Sequence, residues 1–206
     1  MVKMFCINLK QRTDRLSYIN NHIDSISTKI DLEIIEGIHN NNGMIGAGLS
    51  HQKCIKTAMA QNLNNIIIIE DDISLKDNVL DLLELAMNDL PSEWDVLLGV
   101  PSKFLNNQKC VKITKNLFKI EDFSGLIFGI YNKKVYGKLL EWDKKTHYDR
   151  YIGKLAANGI INVYCCCPFL GNQIPGFSNV RNKGINDCQM IRDTENVLIQ
   201  LVNNDS

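Results

Sequence analysis

Four isoleucines, Ile66 to Ile69, run directly into three carboxylates, Glu70, Asp71 and Asp72. An unbroken apolar run of this kind suits a central strand of a parallel sheet, which is buried on both faces. In open α/β sheets ligands bind beyond the carboxyl ends of strands, and the triplet falls there. Adjacent carboxylates repel one another, so the cluster makes sense where a cation or a hydrogen-bond network offsets the repulsion. Mg²⁺ and Mn²⁺ take such oxygen ligands and often share them with substrate phosphates. An exposed acidic loop is the plain alternative.

Other residues join this candidate set. Ile7-Asn8-Leu9 is followed by Arg12 and Arg15, which puts guanidinium groups beyond the first strand. Such groups suit a phosphate or a nucleobase edge, although two Arg residues at a helix start also stand well in solvent. Ser50-His51 opens an expected helix after a glycine-bearing turn, so backbone N–H groups there can face an anion. Asp149 follows Thr146-His147-Tyr148 between two expected helices, placed either as a general base or as a helix cap. The late loop from Pro168 to Ser178 mixes amide, hydroxyl and rigid backbone, and either lines a sugar pocket or crosses the surface.

These residues need elements to position them. Val2 to Leu9 reads as a buried strand, and Thr13 as the cap of a helix carrying Leu16, Ile19 and Ile23 at helical spacing. Leu32 to Ile38 is a second strand, and Asn40 to Gly43 an exposed turn. A helix is expected from about Ser50 to Asn62, another from Asp77 to Leu90, and strands at Trp94 to Val100 and Phe123 to Tyr131. Gly125 and Gly129 in the last of these mark close backbone approach. Ser102 to Asp122 suggests an antiparallel excursion. Helices at Lys133 to Trp142 and Asp149 to Asn158, a strand at Ile160 to Cys166, a polar loop to Asn186 and a helix over about 187–202 packed on the outside complete the chain. The alternation predicts an α/β fold with a mostly parallel sheet flanked by helices, forming one domain over residues 1–206.

Composition narrows the classes. The 206 residues suffice for one substantial core, with 45% apolar and 22% charged residues. Lys+Arg and Asp+Glu both total 23, so there is no basic field of the kind nucleic acid requires. No apolar run approaches the roughly 20 residues of a membrane span. The opening MVKMFCINLKQR lacks the features of a signal peptide, so the expected location is the cytoplasm. The seven cysteines read as reduced thiols, with Cys165, Cys166 and Cys167 in a buried strand and no zinc spacing.

Taken in order, the segments resemble glycosyltransferase family 25, which includes lipooligosaccharide and collagen galactosyltransferases. The family's INL-x-x-R-x-x-R opening is matched by Ile7-Asn8-Leu9, Arg12 and Arg15, and its G-C-x-x-S-H signature by Gly46 to His51, with Ala47 in place of Cys. Its apolar strand ending in E-D-D corresponds to Ile66 to Asp72, and its later glycine-bearing strand and helix to Gly125 to Leu140. Asp149-Arg150-Tyr151 fits the following acidic-aromatic element. Pro168, Gln173 and Ser178 fit the closing pattern, so the resemblance runs over about residues 3–181. It implies a GT-A-like fold, a UDP-sugar donor (galactose or a relative), Mn²⁺ or Mg²⁺, and inversion at the anomeric carbon. The partners implied are a glycan or glycosylated-protein acceptor, with the cytoplasm or the periphery of a glycan-assembling membrane as the site of action. Metal binding maps onto Asp71 and Asp72. Donor binding maps onto Asn8, Arg12, Arg15, Ser50, His51, Glu70, Gln173 and Ser178, with Glu70 toward the ribose. Asp149 is the candidate base.

Two other classes compete. A non-catalytic relative that binds sugar nucleotides or glycans keeps the fold but loses the acidic cluster or the base, and this chain has both. A phosphoacceptor receiver domain carries its acidic pair after the first strand, fits in about 120 residues and needs a late Lys after a strand. This chain is much longer and has its acids after a later strand.

Overall fold

The computed structural model describes residues 2–106 and 109–204. The chain opens with strand β1 (Val2–Asn8), helix α1 (Thr13–Ile26), β2 (Ile30–Glu36) and α2 (Gly43–Ala60). Then come β3 (Asn65–Glu70), a short β4 (Ile73–Leu75), α3 (Val79–Asn88) and β5 (Val96–Val100). An excursion follows through β6 (Lys103–Phe104), β7 (Cys110–Lys112), β8 (Leu117–Ile120) and β9 (Phe123–Ser124), leading to β10 (Phe128–Asn132). A 3-10 turn over Lys133–Val135 runs into α4 (Tyr136–Leu140), then α5 (Tyr148–Ala157) and β11 (Val163–Cys166). The last part holds β12 (Gly171–Gln173), β13 (Gly176–Ser178), β14 (Lys183–Ile185) and α6 (Cys188–Asn203).

Eight strands form one sheet in the order β2-β1-β3-β10-β5-β11-β8-β7. The pairings make β2, β1, β3, β5, β11 and β7 run one way and β10 and β8 the other. The fold is thus α/β with a mostly parallel sheet. Strand β3 lies between β1 and β10, and Ile66, Ile67, Ile68 and Ile69 are all buried. Full burial of each such side chain stabilises by roughly 2 kcal/mol, which is why an unbroken isoleucine run belongs at the sheet's centre.

Several expected elements shift. Helix α2 begins at Gly43, seven residues before Ser50, because the Asn42 side chain accepts from the Met44 N–H and caps it there. Ser50 and His51 therefore lie inside the helix and not at its amino end. Thr13 makes no cap bond, and Arg12 occupies the cap position of α1. The excursion from Ser102 to Asp122 is antiparallel in its described residues, 107 and 108 lying outside them, with β8 paired to both β7 and β11. The loop after Pro168 contains β12, paired antiparallel to β4, and the hairpin β13–β14. Each pairing is only three residues long, too short for alternation to register.

Helix α6 is fastened to the body. Its Glu195 accepts from the Phe169 N–H at 2.8 Å and pairs with Lys76 at 2.8 Å, and the Thr194 hydroxyl donates to the Ser102 carbonyl. All seven cysteines are free and six are buried. Burial pushes the Cys54 thiol up to about 12 and Cys167 to about 11, so these sulfurs are packing groups and not nucleophiles.

Candidate active site

Strands β1 and β3 run in parallel with Ile7 opposite Glu70, so their carboxyl ends emerge side by side. Asn8, at the end of β1, is buried and donates from Nδ2 to Asp71 Oδ2 at 2.7 Å and to the Arg12 carbonyl at 3.1 Å. Arg15, in the first turn of α1, reaches back to Asp71 Oδ1 at 2.7 Å and Asp72 Oδ2 at 2.8 Å. The β1–α1 connection thus folds a guanidinium onto carboxylates 56 residues later in the chain.

The three acids are not equivalent. Both Asp71 oxygens are bonded, one to Asn8 and one to Arg15, whereas Asp72 Oδ1 is buried without a partner. Glu70 is more open, with a side chain 36% exposed. Burial pushes the Asp72 carboxyl up to about 7; the neighbouring charges of Glu70 and Asp71 add to this, and Arg15 and a hydrogen bond from Gln173 pull the other way. Burial raises Asp71 as well, against Arg15 and Asn8, which lower it. One guanidinium does not neutralise three adjacent carboxylates, so the cluster remains a place where a further cation is favourable.

Two cavities meet at this cluster, of about 440 Å³ and about 430 Å³, each within the range of small-molecule sites. Asp71, Asp72, Arg12, Arg15 and Ser50 line the first, together with residues 39–41 and the first turn of α2. A helix amino end facing a cavity suits an anionic group. His51, Tyr148 and Asp149 line the second, with Gly125, Arg150 and Arg181. Glu70, Gln173 and Ser178 border both and form the wall between them.

Asp149 is the second residue of α5 and half-buried. Its Oδ2 accepts from the Gly125 N–H at 2.6 Å and its Oδ1 from the Arg150 N–H at 2.7 Å. Gly125 has φ +82°, and a Cβ there would collide with Ser102 Oγ, so only glycine turns its N–H toward the carboxylate without strain. The approach of α5 is set by a second glycine. Gly48 leaves room on α2 for the Trp142 ring, whose Nε1 donates to the Thr146 carbonyl just before Tyr148 and Asp149.

Structure and sequence reading differ on several roles. Asn8 lines neither cavity; it holds Asp71 from behind. Ser50 borders the first cavity, but its hydroxyl accepts from the Ile38 N–H and donates to the Gly46 carbonyl, both at 2.8 Å. It fastens α2 to the end of β2. Arg12 and Arg15 are committed internally, since both donate to the Phe177 carbonyl and Arg12 also forms a two-point pair with Asp14. Gln173 and Ser178 do reach the site, from β12 and β13. Sequence reasoning missed Gly125 as a partner of Asp149, the first turn of α2 as cavity wall, and Arg181, paired with Asp187 at the second cavity. Gly125 carried a signal in its glycine, but its partner lies 24 residues away.

Residues 41–136 match the model of glycosyltransferase family 25, described as LPS biosynthesis protein. That span contains the acidic triplet, Ser50-His51 and the glycine-bearing strand. Over that span, a little under half of the chain, the sequence is similar to family 25 glycosyltransferases. No curated protein matches the chain. Among solved structures, A197 from STIV is similar at 12% identity, covering 90% of this chain and 93% of that one, with a TM-score of 0.48. A Drosophila β-1,4-galactosyltransferase 7 variant in complex with manganese, UDP-Gal and xylobiose is similar at 12% identity, 89% and 70% coverage and a TM-score of 0.47. The mannosyltransferase PcManGT from Pyrobaculum calidifontis, in complex with GDP-Man and Mn²⁺, is similar at 7% identity, 80% and 55% coverage and a TM-score of 0.49. These are likenesses of architecture, and no residue role rests on them.

Among the described residues, no group of three or more His, Cys, Asp or Glu side chains converges as a metal site, and no helix is long and apolar enough to cross a membrane.

Proposed function

We propose that this chain transfers a sugar, galactose or a relative, from a UDP-sugar to a glycan or glycosylated-protein acceptor, with Mn²⁺ or Mg²⁺ and with inversion. In this reading residues 1–206 act as one domain. The observation that carries it is the pair of adjoining cavities, with an under-neutralised carboxylate cluster facing the first and a fixed carboxylate, Asp149, in the second.

The residues suit a divalent cation held in part by its substrate. Asp72 offers a buried oxygen with no other partner and Asp71 a second negative charge. Mg²⁺ and its relatives commonly take one or two carboxylates and complete their shell with water and substrate phosphate, so a missing third protein ligand is no obstacle. When bound, the cation would supply charge neutralisation to the departing diphosphate. Arg15 and Asn8 hold the carboxylates in place, Arg12 and the amino end of α2 face the anionic part of the donor, and Glu70, His51, Gln173 and Ser178 contact its sugar along the dividing wall. Asp149 takes the proton of the attacking acceptor hydroxyl. Inversion needs such a base on the side away from the leaving group.

The test is UDP release from a panel of UDP-sugars in Mn²⁺ and in EDTA, joined to calorimetry of UDP with wild type and Asp72→Asn. Release and tight UDP binding are expected in Mn²⁺ only, with Asp72→Asn binding roughly 10-fold or more weaker in Mn²⁺ and unchanged in EDTA. Equal binding by both proteins in Mn²⁺ removes Asp72 from the metal site. Binding without any release or transfer would favour the non-catalytic relative.

A further inference from the structure

His51 sits beside the wall where the two cavities meet, buried to 4% exposure and stacked on Tyr148 with 5.5 Å between ring centroids. Its Nδ1 is buried without a partner. A hydrogen on Nδ1 would be an unsatisfied buried donor, so the tautomer that carries it on Nε2 is the cheaper one. Nε2 faces Glu70 Oε1 at 4.0 Å, beyond hydrogen-bond reach. The gap therefore has an N–H donor on one side and a carboxylate acceptor on the other, at the edge of the space both cavities share.

A hydroxyl group is the natural complement of such a gap, because it accepts and donates at once. One oxygen can lie within about 2.8 Å of both atoms when they are 4.0 Å apart. A methylene leaves both protein groups unpaired. A nucleotide-sugar donor with its diphosphate near Asp72 and its anomeric carbon before Asp149 must lay its sugar ring across this wall. We propose that His51 and Glu70 form a hydroxyl-recognition pair that binds one hydroxyl of the transferred sugar and selects donors that carry it. The hydroxyl accepts from His51 Nε2–H and donates to Glu70. This rests on reading the first cavity as the donor site, and it moves Glu70 from the ribose to the sugar.

The experiment uses calorimetry in Mn²⁺ with UDP alone, the UDP-sugar that is turned over best, and that sugar's monodeoxy counterparts. Wild type is expected to bind one deoxy compound roughly 10- to 100-fold more weakly than the parent, the effect of losing a hydrogen bond to a charged group. In His51→Leu that ratio should fall to within about threefold, and in Glu70→Gln, which keeps only a neutral acceptor, it should fall part of the way, with UDP alone bound as by wild type in both. His51→Gln, which keeps an amide donor, should restore part of it. Uniform binding of all deoxy sugars by wild type, or a ratio that persists in a folded His51→Leu, overturns the proposal. Weaker binding of UDP alone by Glu70→Gln returns Glu70 to the ribose and overturns it too. Should His51→Leu fail to fold, Glu70→Gln carries the same comparison from a more exposed position. Failure of every UDP-sugar to bind overturns the donor reading, and this inference with it; uniform deoxy-sugar binding leaves the donor reading standing.

Discussion

Asp72 and Asp149 stand on opposite sides of the wall that Glu70 and Gln173 make, and they are held by different means. Asp72 is almost wholly buried, shares one oxygen with Arg15 and leaves the other without a partner. Asp149 is half-buried, and each of its oxygens accepts a backbone N–H. The first arrangement is electrostatically incomplete, and an added cation would relieve it. The second is complete as a mechanical support, yet each oxygen keeps a lone pair for a proton. On the proposed function, two identical side chains are thereby fitted to different tasks, one to charge and one to proton transfer. What distinguishes them is the partner each one meets across the fold.

The comparison can be broken most directly at Asp149. Asp149→Asn is expected to lower transfer about 10²- to 10⁴-fold, as loss of a general base does, while UDP and UDP-sugar affinity stay near wild type. Near-normal transfer by the folded variant would show that the second carboxylate is only structural, and a parallel loss of donor affinity would move it into the sugar pocket. Next in size is Arg15→Ala, which leaves Asp71 and Asp72 buried without their counter-charge. A loss of about 3 kcal/mol in urea-unfolding stability is expected. Unchanged stability with weaker donor binding would mean that Arg15 serves the ligand and not the carboxylates.

Two smaller effects sharpen the contrast. Gly125→Ala places a side chain at φ +82° and against Ser102 Oγ, so a loss of about 1–3 kcal/mol is expected. Transfer should fall with it and UDP binding should not, because only the Asp149 side depends on that N–H. The smallest concerns His22 on the Asp72 side, where Nε2 accepts from the Leu75 N–H at 2.7 Å and holds β4 against α1. Burial lowers the pKa of this imidazole from 6.5, so the unfolded chain takes up its proton first as pH falls. The His22 contribution to stability should decline by under about 1 kcal/mol below about pH 6.5, and His22→Gln should remove that part of the pH dependence. A slope that is the same in both proteins would remove His22 from the account.

Local chemistry was legible where one segment decides it. The isoleucine run, the helices with apolar residues at three- and four-residue spacing, and the two glycines of the Phe123–Tyr131 segment all announce themselves. The start of α2 did not, because it depends on the Asn42 cap, and a run of asparagines reads equally well as a turn. Strands β4, β12, β13 and β14 were also hidden, being three residues each and stabilised only by pairing with a distant partner.

By itself the sequence determined that three carboxylates stand at the open end of a central strand, since a run apolar on both faces has nowhere else to be stable. It also determined that an Arg pair follows the first strand and that an acid opens a late helix. Only the tertiary structure decided that Arg15 and Asn8 reach Asp71 across 56 and 63 residues, that Arg15 leaves one oxygen of Asp72 without a partner, and that Asp149 is fixed by the Gly125 amide. Burial, pairing and residual charge are properties of groups brought together by strand order and loop path. No local pattern encodes them, because each depends on which distant atoms arrive and on how much water they exclude.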